Sequence, residues 1–293
     1  MTEDTVRLGL LGMPGTGKST YLGALWQIIE DDDDPSITER DVTGDRAYLQ
    51  QLGDDLVAGR EVQRTDVDSE DGLTLTVGFD DGEDVTLDVP DLSGEALRLL
   101  VEDRVWHPRL IELVQSANGF LLFINVSDTE LPTRVDFIRN VMEGEGVTAE
   151  ASTDDPEQPT DGDTDADDGS RFSPRHAYLG AKLVDALENI AGLRSRDNPF
   201  HLALILSAWD TRDGKVTPGE WVAKYLAAVA SWCRLNTDVV DLATFGVSAQ
   251  GGRLPAERDE LLQKGSVLNR AFTHDGDGAV VPLSQPLRWA LKT

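Results

Sequence analysis

The sequence predicts a three-layer α/β domain with a mostly parallel sheet. Three observations predict it. Short apolar runs recur along the chain, amphipathic helical stretches alternate with them, and two of the runs, residues 118–126 and 202–206, are almost uninterrupted in hydrophobicity. Strands covered on both faces need runs of that kind, and helices on either side of a parallel sheet supply the cover. With 293 residues, 40% of them hydrophobic, there is enough apolar material for one large core, and a single domain over residues 1–293 is expected.

Residues 6–11 read as the first strand. The segment Gly12-Met13-Pro14-Gly15-Thr16-Gly17-Lys18-Ser19-Thr20 leads from it into an amphipathic helix over 21–30. Four adjacent aspartates and Pro35 end that helix, because carboxylates are unfavourable at its negative end. A second helix is expected over 45–56. Residues 73–77 and 85–89 read as strands joined by the turn Asp80-Asp81-Gly82-Glu83. The buried strand 118–126 follows, then helices over 131–142 and 178–193 and the buried strand 202–206. Thr217-Pro218-Gly219-Glu220 has the chemistry of a capping box with proline at the first helical position, launching a helix through about residue 234. A strand over 239–247 and a short helix over 283–291 complete the series.

Between 143 and 169 the composition changes. Asp154, Asp155, Glu157, Asp161, Asp163, Asp165, Asp167 and Asp168 crowd among Gly, Thr, Pro and Ser, with nothing to bury. This reads as a disordered acidic insertion over about 143–172. The spacing of its carboxylates lacks the glycine and closing glutamate of a calcium loop.

The chain has 36 Asp and 18 Glu against 6 Lys and 20 Arg, a net charge of −28. Nucleic acid and anionic membranes are bound by neutralising phosphates with Lys and Arg, so neither is an expected partner. The Lys-poor, Asp-rich balance resembles that of proteins from salt-accumulating halophiles and points to a halophilic archaeal source. At about 1 M salt the Debye length is about 3 Å, so the overall field would not keep an anion from a dedicated pocket. The single cysteine, Cys233, sits in an apolar stretch and reads as a buried small hydrophobe. No targeting signal is evident and no apolar run is long enough to span a bilayer, so a cytoplasmic location is expected. His107, His176, His201 and His274 have no ligand spacing, and no serine lies in a Gly-x-Ser-x-Gly elbow.

Residues 12–19 fit G-x-x-x-x-G-K-[ST] at every position, between an expected strand and an expected helix. Glycines at 12, 15 and 17 let backbone N–H groups converge on an anion, and the helix points its positive end at the same place. Lys18 supplies a point charge for β- and γ-phosphates, and Ser19 has the hydroxyl that would ligate Mg²⁺. Pro14, Thr16 and Thr20 belong to the same loop. The motif defines the P-loop NTPase fold and a nucleoside triphosphate ligand without naming the base.

Further along, the strand over 85–89 runs into Pro90-Asp91-Leu92-Ser93-Gly94-Glu95. A carboxylate at that strand end would face the same magnesium, and the Asp-x-x-Gly spacing would bring the Gly94 N–H to a γ-phosphate. Asp91 is preferred as the magnesium carboxylate, with Asp88 competing. The strand over 202–206 ends in Ser207-Ala208-Trp209-Asp210, and Val247-Ser248-Ala249-Gln250 follows the last long strand. Both belong at the same sheet edge as the phosphate loop. An ionised Asp210 would accept from N1–H and N2–H₂ of guanine, whereas adenine presents a lone pair there, so guanine is favoured. Ser207, Ser248 and Ala249 join Asp210 as candidate base contacts.

This order of motifs resembles the translation-factor and Ras-related GTPases. More specifically it is similar to the double-GTPase family of prokaryotic TRAFAC-class GTPases. The residues that carry the resemblance are Gly17-Lys18-Ser19-Thr20-Tyr21-Leu22-Gly23-Ala24-Leu25, Tyr48-Leu49, the segment 59–65, Asp91-Leu92-Ser93-Gly94-Glu95 and Pro286-Leu287-Arg288-Trp289. The resemblance implies GTP/GDP and Mg²⁺ as ligands, Thr65 as the first-switch threonine with Thr38 and Thr43 as competitors, and an unidentified protein effector. It also implies a role in a prokaryotic conflict or signalling system. Two departures stand out. Ser207 and Ala208 occupy places where the family has Asn or Thr and then Lys, so the lysine stem that covers the base is missing; Trp209 could take its place or belong to the core. Glu95 stands where Ras-like enzymes place a water-orienting glutamine, so hydrolysis should be slow. Arg98 and Arg104 could compensate its charge or be ion-paired. The expected function is a Mg²⁺-dependent GTP-binding switch with Lys18, Glu95 and Thr65 serving hydrolysis. An ATPase and a non-hydrolysing scaffold are the alternatives.

Overall fold

The computed structural model describes residues 6–31, 34–62, 73–89, 94–127, 177–194, 199–212 and 214–290. Strand β1 (Val6–Gly12) leads into α1 (Lys18–Glu30), followed by β2 (Ile37–Thr43), α2 (Arg46–Val57), and the hairpin of β3 (Leu73–Phe79) and β4 (Asp84–Val89). Helices α3 (Glu95–Glu102) and α4 (Pro108–Ser116) precede β5 (Gly119–Asn125), and α5 (Leu179–Leu193) precedes β6 (Phe200–Ser207). Helices α6 (Pro218–Tyr225) and α7 (Ala227–Leu235) come before β7 (Val240–Ser248), and α8 (Arg258–Gln263), β8 (Phe272–His274), β9 (Val280–Val281) and α9 (Gln285–Ala290) follow.

All the described strands join one sheet in the order β2-β3-β4-β1-β5-β6-β7-β8-β9. The five central strands, β4-β1-β5-β6-β7, are parallel, and both flanks of the sheet are antiparallel. The apolar run of β5 divides by alternation, as period two requires. Leu121 and Phe123 enter the core under α1, α2 and α9, while Phe120, Leu122 and Ile124 enter the core under α3 to α7. Strand β6 divides likewise, Ala203 and Ile205 to one side and Leu202, Leu204 and Leu206 to the other. The three layers and the parallel centre are as the sequence predicts. Among the described residues no helix is long and apolar enough to cross a membrane.

Four features depart from the sequence reading. Strand β2 was not expected; only Ile37 of its seven residues is buried, so an edge strand with polar faces leaves no alternating apolar signal. Helices α3 and α4 were not expected either, although each buries a stripe, Leu97 and Leu100 on one and Leu110 and Leu113 on the other. The single helix expected from 217 to about 234 is two, broken at Leu226, whose backbone leaves the helical region (φ −123°, ψ 40°) and whose side chain is buried. Finally, β8 and β9 extend the sheet beyond β7. The helix expected over 131–142 and the acidic insertion over 143–172 lie outside the described residues.

Register brings four strand ends to one edge: Gly12 of β1 lies opposite Phe123, Asn125 of β5 opposite Ser207, and Ser207 opposite Val247. Helix α1 leaves that edge and packs closely on α2 through glycines. A Cβ on Gly23 would lie 2.9 Å from both Cβ and the carbonyl oxygen of Leu52. Replacing a mid-helix glycine by alanine gains about 1 kcal/mol of propensity, whereas overpacking against backbone costs about 1–3 kcal/mol. The backbone contact decides the sign. Gly23→Ala should lower stability, by about 1 kcal/mol net, in a urea titration; a raised unfolding midpoint would contradict this packing.

Candidate functional site

The loop between β1 and α1 is shaped by backbone conformation. Gly15 (φ +78°) and Gly17 (φ +88°) occupy the left-handed region, which costs L-residues roughly 1–2 kcal/mol. Gly17 caps α1 without any side-chain hydrogen bond, so no side chain of the cap fills the anion position at the helix start. Lys18, the first helical residue, is 4% exposed, and its ammonium donates to the carbonyls of Gly12 (2.8 Å) and Met13 (3.1 Å). Thr16 Oγ1 donates to the Met13 carbonyl at 2.8 Å. The Ser19 hydroxyl accepts from the Tyr48 phenol on α2 at 3.3 Å.

Gly94 closes on this loop from β4's side. A Cβ there would stand 2.5 Å from Gly12 O and 2.6 Å from Lys18 Nζ, at a φ of +83°. No other residue type fits without displacing the loop. Glu95 begins α3, and Arg98 Nε donates to its Oε2 at 2.6 Å, with Glu102 accepting from Arg98 Nη1 at 3.2 Å. These hydrogen bonds, the one accepted by Glu95 first, push the Arg98 guanidinium pKa up. Arg104 is ion-paired with Asp185 of α5. Both arginines are therefore paired with carboxylates.

The opposite end is built by β6 and β7. Ser207 Oγ donates to Thr16 O at 2.7 Å, tying the end of β6 to the glycine loop. Ser248, 1% exposed, donates from Oγ to Asp210 Oδ1 at 2.5 Å and accepts from the Gly251 N–H at 3.0 Å. The Asp210 carboxylate is thus held in place from the neighbouring strand. Between the two ends lies a cavity of about 590 Å³, walled by Gly15, Gly17, Thr20 and Ser207 at the loop end and by Asp210 and Ala249 beyond them. Cavities of this size hold small ligands and cofactors.

Gly12, Gly15, Thr16, Gly17, Lys18, Ser19 and Gly94 therefore come together around one loop, and Ser207, Asp210, Ser248 and Ala249 face it across the cavity or support those that do. Thr65 and Asp91 lie outside the described residues. Asp88, the competing carboxylate, is ion-paired with Arg7 and accepts from Thr74 Oγ1 at 2.7 Å, so it serves the sheet. Thr38 and Thr43 sit on the edge strand β2, separated from β1 by β3 and β4. Trp209 is 6% exposed and donates from Nε1 to His274 Nδ1 at 3.1 Å, which makes it core and not a cover for a base. Asn125, Gln250 and Arg253 also line the cavity and were missed. The strand-end rule that found Ser207 would also have found Asn125; nothing in the pattern marks Arg253.

A left-handed glycine loop at a helix start, closing one end of a cavity at the carboxyl edge of a parallel sheet, defines a P-loop nucleotide-binding protein. The chain matches the Double-GTPase 1 family over residues 9–290 and belongs to that family. It is accordingly a GTP-binding protein of the switch class. No curated protein matches the chain. Among solved structures it is similar to the Arl6 BBS3 small GTPase of Trypanosoma brucei with bound GppNp, at 10% identity and a TM-score of 0.35, covering 90% of this chain and 98% of that one. It is also similar to the signal recognition particle receptor SRb-GTP/SRX complex of Chaetomium thermophilum, at 11% identity and a TM-score of 0.38, covering 89% and 97% respectively.

Away from the cavity, Cys233 on α7 is 3% exposed, and burial pushes its thiol up to about 11. The thiolate is the reactive form, so the native protein should resist thiol reagents at pH 8 and label promptly once unfolded; fast labelling without denaturant would contradict this burial. Gly94→Ala tests the loop contact. It should weaken nucleotide binding by about tenfold or more, the equivalent of about 1.4 kcal/mol, with the circular dichroism spectrum unchanged; unchanged affinity would show that Gly94 does not constrain the loop.

Proposed function

We propose that the chain, acting as one domain over residues 1–293, is a Mg²⁺-dependent GTP switch with slow hydrolysis. The observation that carries the reading is a single cavity with the Lys18 loop at one end and the braced Asp210 carboxylate at the other. In this reading the Lys18 ammonium exchanges the carbonyls of Gly12 and Met13 for β- and γ-phosphate oxygens. Backbone N–H groups of residues 15–20 hold the α- and β-phosphates. Asp210 accepts from guanine N1–H and N2–H₂, and Ala249 lies at the same end of the cavity. Gly94, together with Thr65, senses the γ-phosphate, and an effector protein reads the resulting order of the two loops.

Ser19 offers a hard oxygen, the kind Mg²⁺ prefers. Among the described residues no group of three His, Cys, Asp or Glu could hold a metal unaided. Ser19, Thr65 and Asp91, with the nucleotide phosphates, would make up the donor set, and the cation would neutralise phosphate charge when bound. Glu95 is the candidate for orienting water, but its carboxylate adds negative charge beside a transferring phosphoryl group. The pair with Arg98 offsets part of that charge and holds Glu95 in place, which supports slow turnover. The expected setting is a cytoplasmic conflict or signalling system.

Fluorescent GTP and ATP analogues titrated in molar KCl, with and without Mg²⁺, test the reading. GTP should bind tighter than ATP, and Lys18→Ala should weaken both by about tenfold or more. Asp210→Asn should cost GTP about 10- to 100-fold, in line with a charged hydrogen bond of about 1.5–3 kcal/mol, and leave ATP unaffected. ATP preferred by the native chain, with Asp210→Asn indifferent, would replace this reading with an ATPase. Phosphate release over hours should exceed the Lys18→Ala background and rise in Glu95→Gln; release at background in both would leave a non-hydrolysing scaffold.

A further inference from the structure

Beside the nucleotide cavity lies a second, polar one of about 630 Å³, formed where the end of β5 meets the turn after β6 and helix α6. Arg212, Lys215 and Arg253 line it, together with Ser127, Thr211 and Tyr225. The concentration of positive charge is unusual for a chain with 54 acidic and 26 basic residues. Elsewhere Arg7, Arg40, Arg46, Arg60, Arg104 and Arg288 each pair with a carboxylate, and Arg258 and Arg270 donate to backbone carbonyls. Among the described residues, Arg212, Lys215 and Arg253 pair with none.

Arg212 is also held in position. Its guanidinium carbon lies 5.2 Å from the Tyr225 ring centroid, 5.5 Å from that of Trp221 and 6.0 Å from that of Trp209. Its buried Nε has no hydrogen-bond partner. The neighbouring Lys224 and Arg212 cations push the Tyr225 phenol pKa down. Lys224 Nζ in turn sits 4.9 Å from the Tyr225 ring centroid. Thr211 Oγ1 donates to the Ala208 carbonyl at 2.7 Å and the Ser127 hydroxyl donates to Thr211 Oγ1 at 3.0 Å, which fixes the rim shared with the first cavity. A guanidinium clasped by three rings has already lost its rotamer freedom, so an anion arriving there meets a fixed donor.

We propose that this second cavity binds a small oxyanion-bearing molecule, a phosphate ester or a polycarboxylate, apart from the nucleotide's own phosphates. The three cations, which pair with no carboxylate among the described residues, supply the charge and the hydrogen-bond donors. Ser127, Thr211 and Arg253 wall both cavities, so occupation of one alters the surroundings of the other, which is the physical condition for coupled affinities.

The test uses the full chain without nucleotide, so it is independent of the GTP reading. Inorganic phosphate and citrate are titrated separately at constant ionic strength set with KCl. Binding is followed by calorimetry and by the fluorescence of the tryptophans, two of which flank Arg212. A saturable response to phosphate or to citrate is expected, and the tighter of the two identifies the ligand class. It should persist in Lys18→Ala and weaken at least about tenfold in both Arg212→Gln and Lys215→Gln, a loss equivalent to about 1.4 kcal/mol. Lys215 is exposed, so its variant keeps the test valid if Arg212→Gln fails to fold. No saturation by either anion would overturn the proposal. So would a response abolished by Lys18→Ala and retained in Lys215→Gln, since the anion would then occupy the glycine loop.

Discussion

A lysine with 4% of its residue surface exposed has given up most of its hydration, and the chain must replace what water supplied. At Lys18 the replacement is two carbonyl oxygens, those of Gly12 and Met13, and both are available only because the loop turns through left-handed glycines. A carbonyl is a weaker partner for a cation than an ionised oxygen. The loop is therefore built around a charge that a phosphate would satisfy better than the protein does. The close approach of Gly94, the tie from Ser207 to Thr16 and the exit of α1 from the sheet edge all converge on this arrangement. Altering any of them disturbs the same ammonium.

The far end of the cavity obeys a different constraint. Asp210 stands near the surface, where a free carboxylate would rotate. The Ser248 hydroxyl fixes one oxygen, and Ser248 is itself anchored by the N–H of Gly251. Ser207, one of the two departures from the family's base motif, makes contact with the glycine loop, so the shorter side chain still joins the two ends of the cavity. Ala208, the other departure, takes a left-handed backbone (φ 54°) that turns the chain between Ser207 and Trp209. Trp209 then points into the core, where a Cβ on Gly246 would come within 2.5 Å of its ring. The missing lysine stem is thus not replaced by this indole.

How much of this was legible in the sequence follows from which physical signals are local. Runs such as 118–126 and 202–206 announce strands buried on both faces, and the glycine loop announces its own geometry, because spacing and backbone freedom are local properties. Strand β2 gives no such signal, since its stability comes from pairing with β3 and its side chains are largely wet. The break at Leu226 is equally silent: a buried leucine leaves the helical region because α6 and α7 must reach different neighbours, which is a tertiary demand. Strand-end logic located Ser207 and Asp210 but was not applied to Asn125. Arg253 reaches the cavity from a segment after β7 whose path no short-range pattern specifies.

Charge distribution adds a last link. An excess of carboxylates offers many cations a partner, and on α3 the pairing is continuous. Glu95 holds Arg98, Arg98 reaches Glu102, and Glu102 accepts from Lys182 Nζ on α5 at 2.9 Å. The series begins at the residue after Gly94, which touches the Lys18 loop, and ends on α5, which packs against α3. Each exposed pair is worth little alone, about 0–1 kcal/mol, but Glu102 and Lys182 are 13% and 14% exposed and share their partners. The pair nearest the loop, Glu95–Arg98, is the most exposed of the series, and the most buried pair, Glu102–Lys182, lies farthest along it from Gly94.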